Sequence, residues 1–193
     1  MVRNAVVDAT IAELADGGYA AVSLERIAQR AGVAKTTLYR RWGTKEALVL
    51  EAMLERAGTR ISVPDTGSLR ADLLEFADTA ATNAASPEVS AMARAVVAGA
   101  QHDGTLAAAA RDFWDQRLAL DAVIVKRGMD RGEVAADADP RRVIESVIGP
   151  IHLRLLLTGE PVDREYLEWV VDTVIDGIAP RPRAGKSANP GPH

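Results

Sequence analysis

A chain of 193 residues has room for one or two domains at about 150 residues each, and its 48% apolar, 26% charged composition is that of a packed globular protein. The absence of cysteine excludes a disulfide framework, thiolate metal sites and thiol nucleophiles, and His102, His152 and His193, the only histidines, lie too far apart for a zinc-ligand spacing. The net charge of −4 is unevenly spread: residues 1–60 hold nine basic and seven acidic side chains, the remainder fourteen and twenty, so the two ends suit different partners.

No basic segment followed by an apolar run opens the chain, and no stretch of about 18 uncharged apolar residues occurs, so a soluble, cytoplasmic protein with no membrane partner is expected. A phosphate-cradling Gly-x-x-x-x-Gly-Lys run, a Gly-x-Ser-x-Gly elbow and paired His-carboxylate spacings are missing. Neither an enzyme nor a cofactor or metal is expected.

Taken in chain order, the periodicities read as an all-α protein of about nine helices. Val7, Ile11, Leu14 and Ala15 form one stripe of a first amphipathic helix that should stop at Asp16-Gly17-Gly18. Ser23 can cap a second helix, Leu24 to Ala31, which Gly32 ends by supplying a left-handed residue. A third short helix, Lys35 to Arg41, follows almost at once, with Leu38 and Trp42 pointing back toward Ile27 and Ala28. Two short helices joined by a glycine-bearing turn make a helix-turn-helix, whose second helix can enter a DNA major groove. Thr44 caps a fourth helix carrying Ala47, Leu50, Leu54 and Ala57.

The run Val63-Pro64-Asp65-Thr66-Gly67-Ser68 breaks the pattern and separates head from body. Ser68 should cap a fifth helix with Leu69, Leu73, Phe76, Ala77 and Ala80 inward, and Ser86-Pro87 starts a sixth with Met92, Val96 and Val97 on its apolar side. Asp103-Gly104 opens a long seventh helix through Phe113, Trp114, Leu118, Ala122, Val125 and Met129, ending near Gly132. Asp139-Pro140 repeats the start signal for an eighth, in which Pro150 should produce a kink, and Gly159-Glu160-Pro161 precedes the ninth. The expected organisation is a DNA-binding head over 1–46, a ligand-binding and dimerisation body over 47–179, and a disordered tail over 180–193.

Between Arg26 and Lys45 stand six basic residues (Arg26, Arg30, Lys35, Arg40, Arg41, Lys45) and no carboxylate, where average placement would give about two and about three. Lys35, Thr36, Thr37 and Arg40 project from the third helix away from Leu38, with the chemistry for base edges and phosphates.

The segments Gly18-Tyr19, Val22-Ser23-Leu24, Ile27-Ala28, Ala31-Gly32-Val33-Ala34-Lys35-Thr36-Thr37-Leu38-Tyr39-Arg40-Arg41-Trp42 and Thr44-Lys45-Glu46-Ala47-Leu48 together resemble the tetracycline-repressor family of bacterial transcription regulators. In the body, Pro64-Asp65-Thr66-Gly67-Ser68-Leu69-Arg70, and Ile148-Gly149-Pro150-Ile151 followed by Arg154-Leu155-Leu156, resemble one C-terminal class of that family. The resemblance implies a dimer whose heads sit in successive major grooves and whose bodies bind a small molecule that alters head spacing. It gives Tyr39 and Lys45 phosphate-contacting positions, and Ser23 and Lys45 stand where helix N-termini also favour a phosphate. Arg41-Trp42 departs from the family's common His-Phe ending, leaving Arg41 as a further DNA contact and Trp42 as a core plug. Only Arg3 precedes the first helix, so contacts from a basic arm are not expected.

Dimerisation has its own argument. The ninth helix carries Leu167, Val170, Val171, Val174, Ile175 and Ile178 as one stripe, and the eighth offers Val143, Ile144, Val147, Ile148, Ile151 and Leu155. That is more apolar surface than one core face uses, so a second copy is expected to cover Ile148, Ile151, His152, Leu155, Leu167, Val170, Val171, Val174 and Ile178. A cavity lined by Leu73, Phe76, Met92, Val96, Phe113, Trp114 and Leu118, with Asp121, Asn83, Gln101 and His102 as polar candidates, would take an apolar or aromatic effector. The expected function is a ligand-responsive regulator, by default a repressor, that binds a roughly palindromic operator on double-stranded DNA as a homodimer. The competing reading keeps the fold without specific DNA contacts, as a helical ligand-binding or protein-interaction dimer.

Overall fold

The computed structural model describes residues 2–60 and 63–179, and the side chains of these except 54 and 56–60; the expected tail from Pro180 lies outside the described residues. Every regular element among them is helical: α1 (Val2–Ala21), α2 (Leu24–Ala31), α3 (Lys35–Arg41), α4 (Lys45–Arg60), α5 (Leu69–Ala85), α6 (Pro87–Ala100), α7 (Gly104–Asp130), α8 (Pro140–His152) and α9 (Arg164–Ile178). None is long and apolar enough to cross a membrane.

Local chemistry sets most boundaries. Ser23 Oγ accepts the Arg26 N–H at 3.2 Å. Gly32, at φ 65°, closes α2 by donating its N–H to Gln29 while Val33 donates to Ala28, a Schellman pair that relieves the last carbonyls. Thr44, Ser86, Asp103 and Asp139 each accept a backbone N–H at the starts of α4, α6, α7 and α8, as their positions suggest.

Elsewhere the structure departs from the pattern. The first run of α1 ends at Gly18 (φ 66°, ψ 179°), where Asp16-Gly17-Gly18 suggested a stop, and a short second run carries buried Tyr19; Ala15, expected on the inward stripe, is exposed. Ser68 makes no cap hydrogen bond; Glu133, beyond α7, accepts the Leu69 N–H at 2.8 Å instead. Buried Asp72 accepts from the Thr66 N–H and hydroxyl at 2.6 and 2.7 Å, tying down the loop before α5. In α4 the buried residues are Leu48, Val49, Ala52 and Met53 rather than Ala47 and Leu50, because the helix is held between α1 and α7; Leu54 and Ala57 lie outside the described side chains. α6 turns Met92, Ala95 and Val96 inward and leaves Val97 55% exposed. The irregularity expected near Pro150 is a π-helical turn, Leu153–Thr158, which continues α8 and ends at left-handed Gly159.

Two cores result. The first gathers Val6, Leu14, Ile27, Leu38 and Trp42 from the head with Leu48 and Val49 of α4, and continues through Met92, Val96, Leu106 and Phe113 of α6 and α7. The second packs α5, the later part of α7, α8 and α9 around Leu73, Phe76, Ile124, Ile144, Val147 and Ile151. Each fully buried side chain of this size contributes about 1.5–3 kcal/mol. The head therefore shares a core with the body rather than standing on a linker.

Gly99 lets α6 approach α1. A Cβ placed there would lie 2.6 Å from Tyr19 Cδ1 and 2.8 Å from Leu106 Cδ2. Helix propensity alone would favour Gly99→Ala by about 0.5–1 kcal/mol, whereas overpacking of this kind costs about 1–3 kcal/mol. A net loss of stability in urea denaturation is expected; a more stable variant would show that the contact is not tight.

Candidate functional site

The outer face of the head is built on one anchored residue. Leu38 is fully buried against the α2 residues Ile27 and Ala28, so the opposite side of α3 is open: Lys35, Thr36, Tyr39, Arg40 and Arg41 are exposed and Thr37 is half-buried. Trp42 plugs the base of the head, its indole N–H donating to Glu51 at 2.5 Å and its ring lying 4.9 Å from the Arg41 guanidinium carbon. Arg40 forms no ion pair with a described residue.

The six clustered cations do not form one uniform face. Arg26 lies 2.7 Å from Glu13, a carboxylate only 4% exposed, and Arg30 reaches both Glu13 (3.2 Å) and Asp16 (2.6 Å). These two arginines fasten α2 to α1. Arg3 also belongs to the fold, lying inside α1 at 2.5 Å from Glu51 and 2.6 Å from Glu55. Lys35 pairs with Glu25, which also accepts from the Tyr39 hydroxyl at 3.3 Å. Lys35 is the main reason the Glu25 carboxyl lies below its ordinary range. Glu25 stands one residue outside the acid-free window, and the sequence reading missed it; its place in the first turn of a capped α2, beside the start of α3, is the signal that was there to use.

Lys45 leads from the head into the body. Its ammonium lies 4.1 Å from the centre of the Tyr19 ring, a cation–π contact. The Tyr19 hydroxyl is 2.5 Å from Glu46 Oε1 at the start of α4 and 3.0 Å from Asp103 Oδ2 at the start of α7. Burial first, then these two carboxylates, push the phenol far above its ordinary value, so it keeps its proton. Asp103 is held below its usual range, chiefly by the Leu106 N–H and then by Tyr19.

The body contains a cavity among α4 to α8 and the π-helical turn. Phe76, Met92, Phe113 and Trp114 line it with two of the polar candidates, Asn83 and Asp121, joined by Met53 of α4, Arg117, Ile148 and His152. Phe113 meets Trp114 edge-on at 5.1 Å, and Trp114 meets His152 at 5.4 Å. Burial lowers the His152 imidazole from its ordinary value, so it is neutral at neutral pH. Arg117 grips Asp121 through Nε at 2.8 Å and through a second, shorter contact, both side chains being almost fully buried. Burial pushes the Asp121 carboxyl up while Arg117 opposes it. Arg117 was missed although its i,i+4 spacing to Asp121 is visible in the sequence.

Two family models cover nearly the whole of this architecture: "Bacterial regulatory proteins, tetR family" matches residues 6–52, and "Tetracyclin repressor-like, C-terminal domain" matches residues 63–174. The HTH-type transcriptional regulator AqdR of Rhodococcus erythropolis is 34% identical over 175 residues, 91% of this chain and 84% of that protein. The chain belongs to the tetracycline-repressor family. The DNA-binding transcriptional repressor TetR of Mycobacteroides abscessus is 32% identical over 161 residues, 82% of this chain and 83% of its own. The crystal structure of the TetR family transcription regulator SCO0332 superposes with a TM-score of 0.76 at 32% identity, over 93% of this chain and 99% of that one. The protein is thus a DNA-binding transcription regulator with a helix-turn-helix head.

Within this tetracycline-repressor fold several expected positions are corrected. Leu73 and Leu118 are buried in the second core rather than in the cavity wall, and Val96 lines an adjoining groove. Ile148 and His152, expected at a dimer interface, line the cavity, and His152 borders the adjoining groove as well. Ile151, Leu167, Val170 and Val171 are each no more than 2% exposed within one protomer, so they have no surface to give a second copy. Helices α5, α7 and α8 already fill the space beside them. Leu155, Val174 and Ile178 are half-buried at the edge of that core. Gln101 and His102 are exposed at the rim of a groove beyond the cavity.

Because Asp121 is buried, Arg117→Met leaves a carboxylate unpaired and should cost about 3–5 kcal/mol, whereas Arg117→Met with Asp121→Leu should recover most of it. Chemical denaturation of both variants measures the difference. A single variant as stable as the parent would mean that the pair is not buried.

Proposed function

We propose that the protein is a cytoplasmic, homodimeric repressor that binds a roughly palindromic operator and leaves it when a small apolar effector occupies the body cavity. Residues 1–46 form the DNA-binding unit and 47–179 the sensing and dimerising unit. The observation that carries this reading is the open face of α3: Leu38 fixes the helix from behind while Lys35, Thr36, Tyr39, Arg40 and Arg41 stand in solvent. Lys35, Thr36, Thr37 and Arg40 address base edges and nearby phosphates, and Ser23, Tyr39, Arg41 and Lys45 address the phosphate backbone. Repression accords with the Mycobacteroides relative, a DNA-binding transcriptional repressor.

A short recognition helix reads few bases, so specific binding needs two heads about 34–36 Å apart. The outward stripes of α8 and the turn that continues it (Glu145, Ser146, Gly149, then Leu153) and of α9 (Trp169, Thr173, Asp176, Gly177) support a second copy as their partner. Leu153 and Trp169 are more than half exposed, and a Cβ added at Gly149 or Gly177 would meet nothing within 4 Å. Smooth helix faces of this kind suit a four-helix contact. Gly177→Arg should yield monomers in light scattering and lose operator binding together; a variant that remains dimeric would place the interface elsewhere.

Titration of the upstream DNA of the protein's own gene, across salt concentrations, tests the head. Binding to a discrete site with a steep inverse salt dependence is expected. Lys45→Ala should weaken binding to all sequences and reduce the salt slope by about one, while Lys35→Ala or Arg40→Ala should also relax base preference at a cost of about 1–3 kcal/mol. Parental behaviour in all three would refute the contact scheme.

A further inference from the structure

The cavity walls are apolar and aromatic, but the polar groups that reach it are of a particular kind. Arg117 and Asp121 hold each other bidentately, so together they present no net charge. His152 is packed edge-on against Trp114. Asn83 differs from both: the residue borders the cavity, and its buried Oδ1 accepts a hydrogen bond from no described group. A buried acceptor without a donor is unfavourable, and natural interiors rarely leave one so.

These features select a ligand. A carboxylate would need Arg117, and taking it would strand Asp121 as an unpaired buried charge; an ammonium would strand Arg117 in the same way. A purely hydrocarbon ligand would fill the space and leave Asn83 Oδ1 still unpaired. A flat aromatic skeleton matches the Phe113–Trp114–His152 wall, whose rings meet at 76° and 62° and so offer both faces and edges. The way in runs between α6 and the π-helical turn, where Ala93 and Leu156 border both the cavity and the outer groove and Val97 and Leu157 are exposed.

We infer that the effector is an uncharged aromatic compound bearing a hydroxyl or N–H donor, and that Asn83 Oδ1 receives that donor. The inference rests on the reading of the cavity as the effector site, and it adds the chemistry that the site selects. Asn83 is then a specificity-determining residue: it decides among molecules that the apolar wall would admit alike.

The test uses the full chain and four matched probes: 2-naphthol, its methyl ether 2-methoxynaphthalene, naphthalene and 2-naphthoate, each titrated by calorimetry and followed by thermal shift. 2-Naphthol should bind at least about ten-fold more tightly than the methyl ether or naphthalene, since only it satisfies the acceptor, and 2-naphthoate should bind least. In Asn83→Leu the preference for 2-naphthol over the methyl ether should vanish while naphthalene still binds, which also shows that the variant is folded. Equal affinities in the parent, a preference that survives in Asn83→Leu, tighter binding of 2-naphthoate, or no binding by any probe would each overturn the inference. Selective, Asn83-dependent binding that leaves operator affinity unchanged would uphold the ligand chemistry and overturn instead the reading of this cavity as the inducer site.

Discussion

Beside the core that the DNA-facing head shares with the body, one phenol ties the two together. The Tyr19 hydroxyl lies within hydrogen-bond distance of Glu46, where α4 leaves the head, and of Asp103, where α7 begins. A phenol has one hydrogen to give and both partners are acceptors when ionised, so the hydroxyl serves one carboxylate at a time. The same ring carries the Lys45 ammonium on one side and lies against Gly99 of α6. The cation proposed to meet a DNA phosphate is therefore stacked on the residue that touches the body. Tyr19 is thus one of the points at which α6 and the first turn of α7 meet the head.

The electrostatics of the head follow from how its cations are divided. Arg26 and Arg30 neutralise the buried Glu13 and hold α2 in place, while Lys35 rests on the exposed Glu25 and Arg40 pairs with no described residue. An exposed ion pair such as Lys35–Glu25 is worth little in water, so a phosphate or base edge can replace the carboxylate at small cost. Arg26 could not be released in the same way without leaving a buried charge behind. The fold thus keeps its structural cations apart from those that can exchange partners. The acidic excess beyond residue 60 repels the duplex from the body, which helps to present the head alone.

Much of the architecture was legible in the sequence because it depends on local chemistry. Helices α2 and α3 begin and end where Ser23, Gly32 and the period of Ile27, Ala28 and Leu38 require. What was not legible depends on which neighbour arrives from far along the chain. The N-terminus of α5 is capped by Glu133 and not by the adjacent Ser68, and no local rule anticipates a partner 64 residues away. The stripe Leu167, Val170, Val171 was correctly seen to need burial, but periodicity says only that a face is covered, not whether its cover is the same chain or another copy. His152 was assigned to that face for the same reason. The cavity was half legible: its aromatic wall follows from apolar spacing, whereas Met53 enters it only because α4 crosses from head to body.

That crossing explains how one event could reach the other. Lys45, at the first turn of α4, sits on Tyr19, and Met53, about two turns further on, forms part of the cavity wall. On the proposed reading, a ligand that pushes Met53 aside would shift or tilt the end of the same helix that bears Lys45. The required energy is modest. A hundred-fold loss of operator affinity needs only about 2.7 kcal/mol of difference in how the effector binds the two head positions. One buried hydrogen bond, made in one arrangement of the cavity and unmade in the other, is worth about 1–3 kcal/mol when its loss leaves a polar group unpaired. A neutral cavity with one waiting acceptor can therefore supply most of the switching energy without separating the buried Arg117–Asp121 pair, whose splitting would leave a charge unpaired.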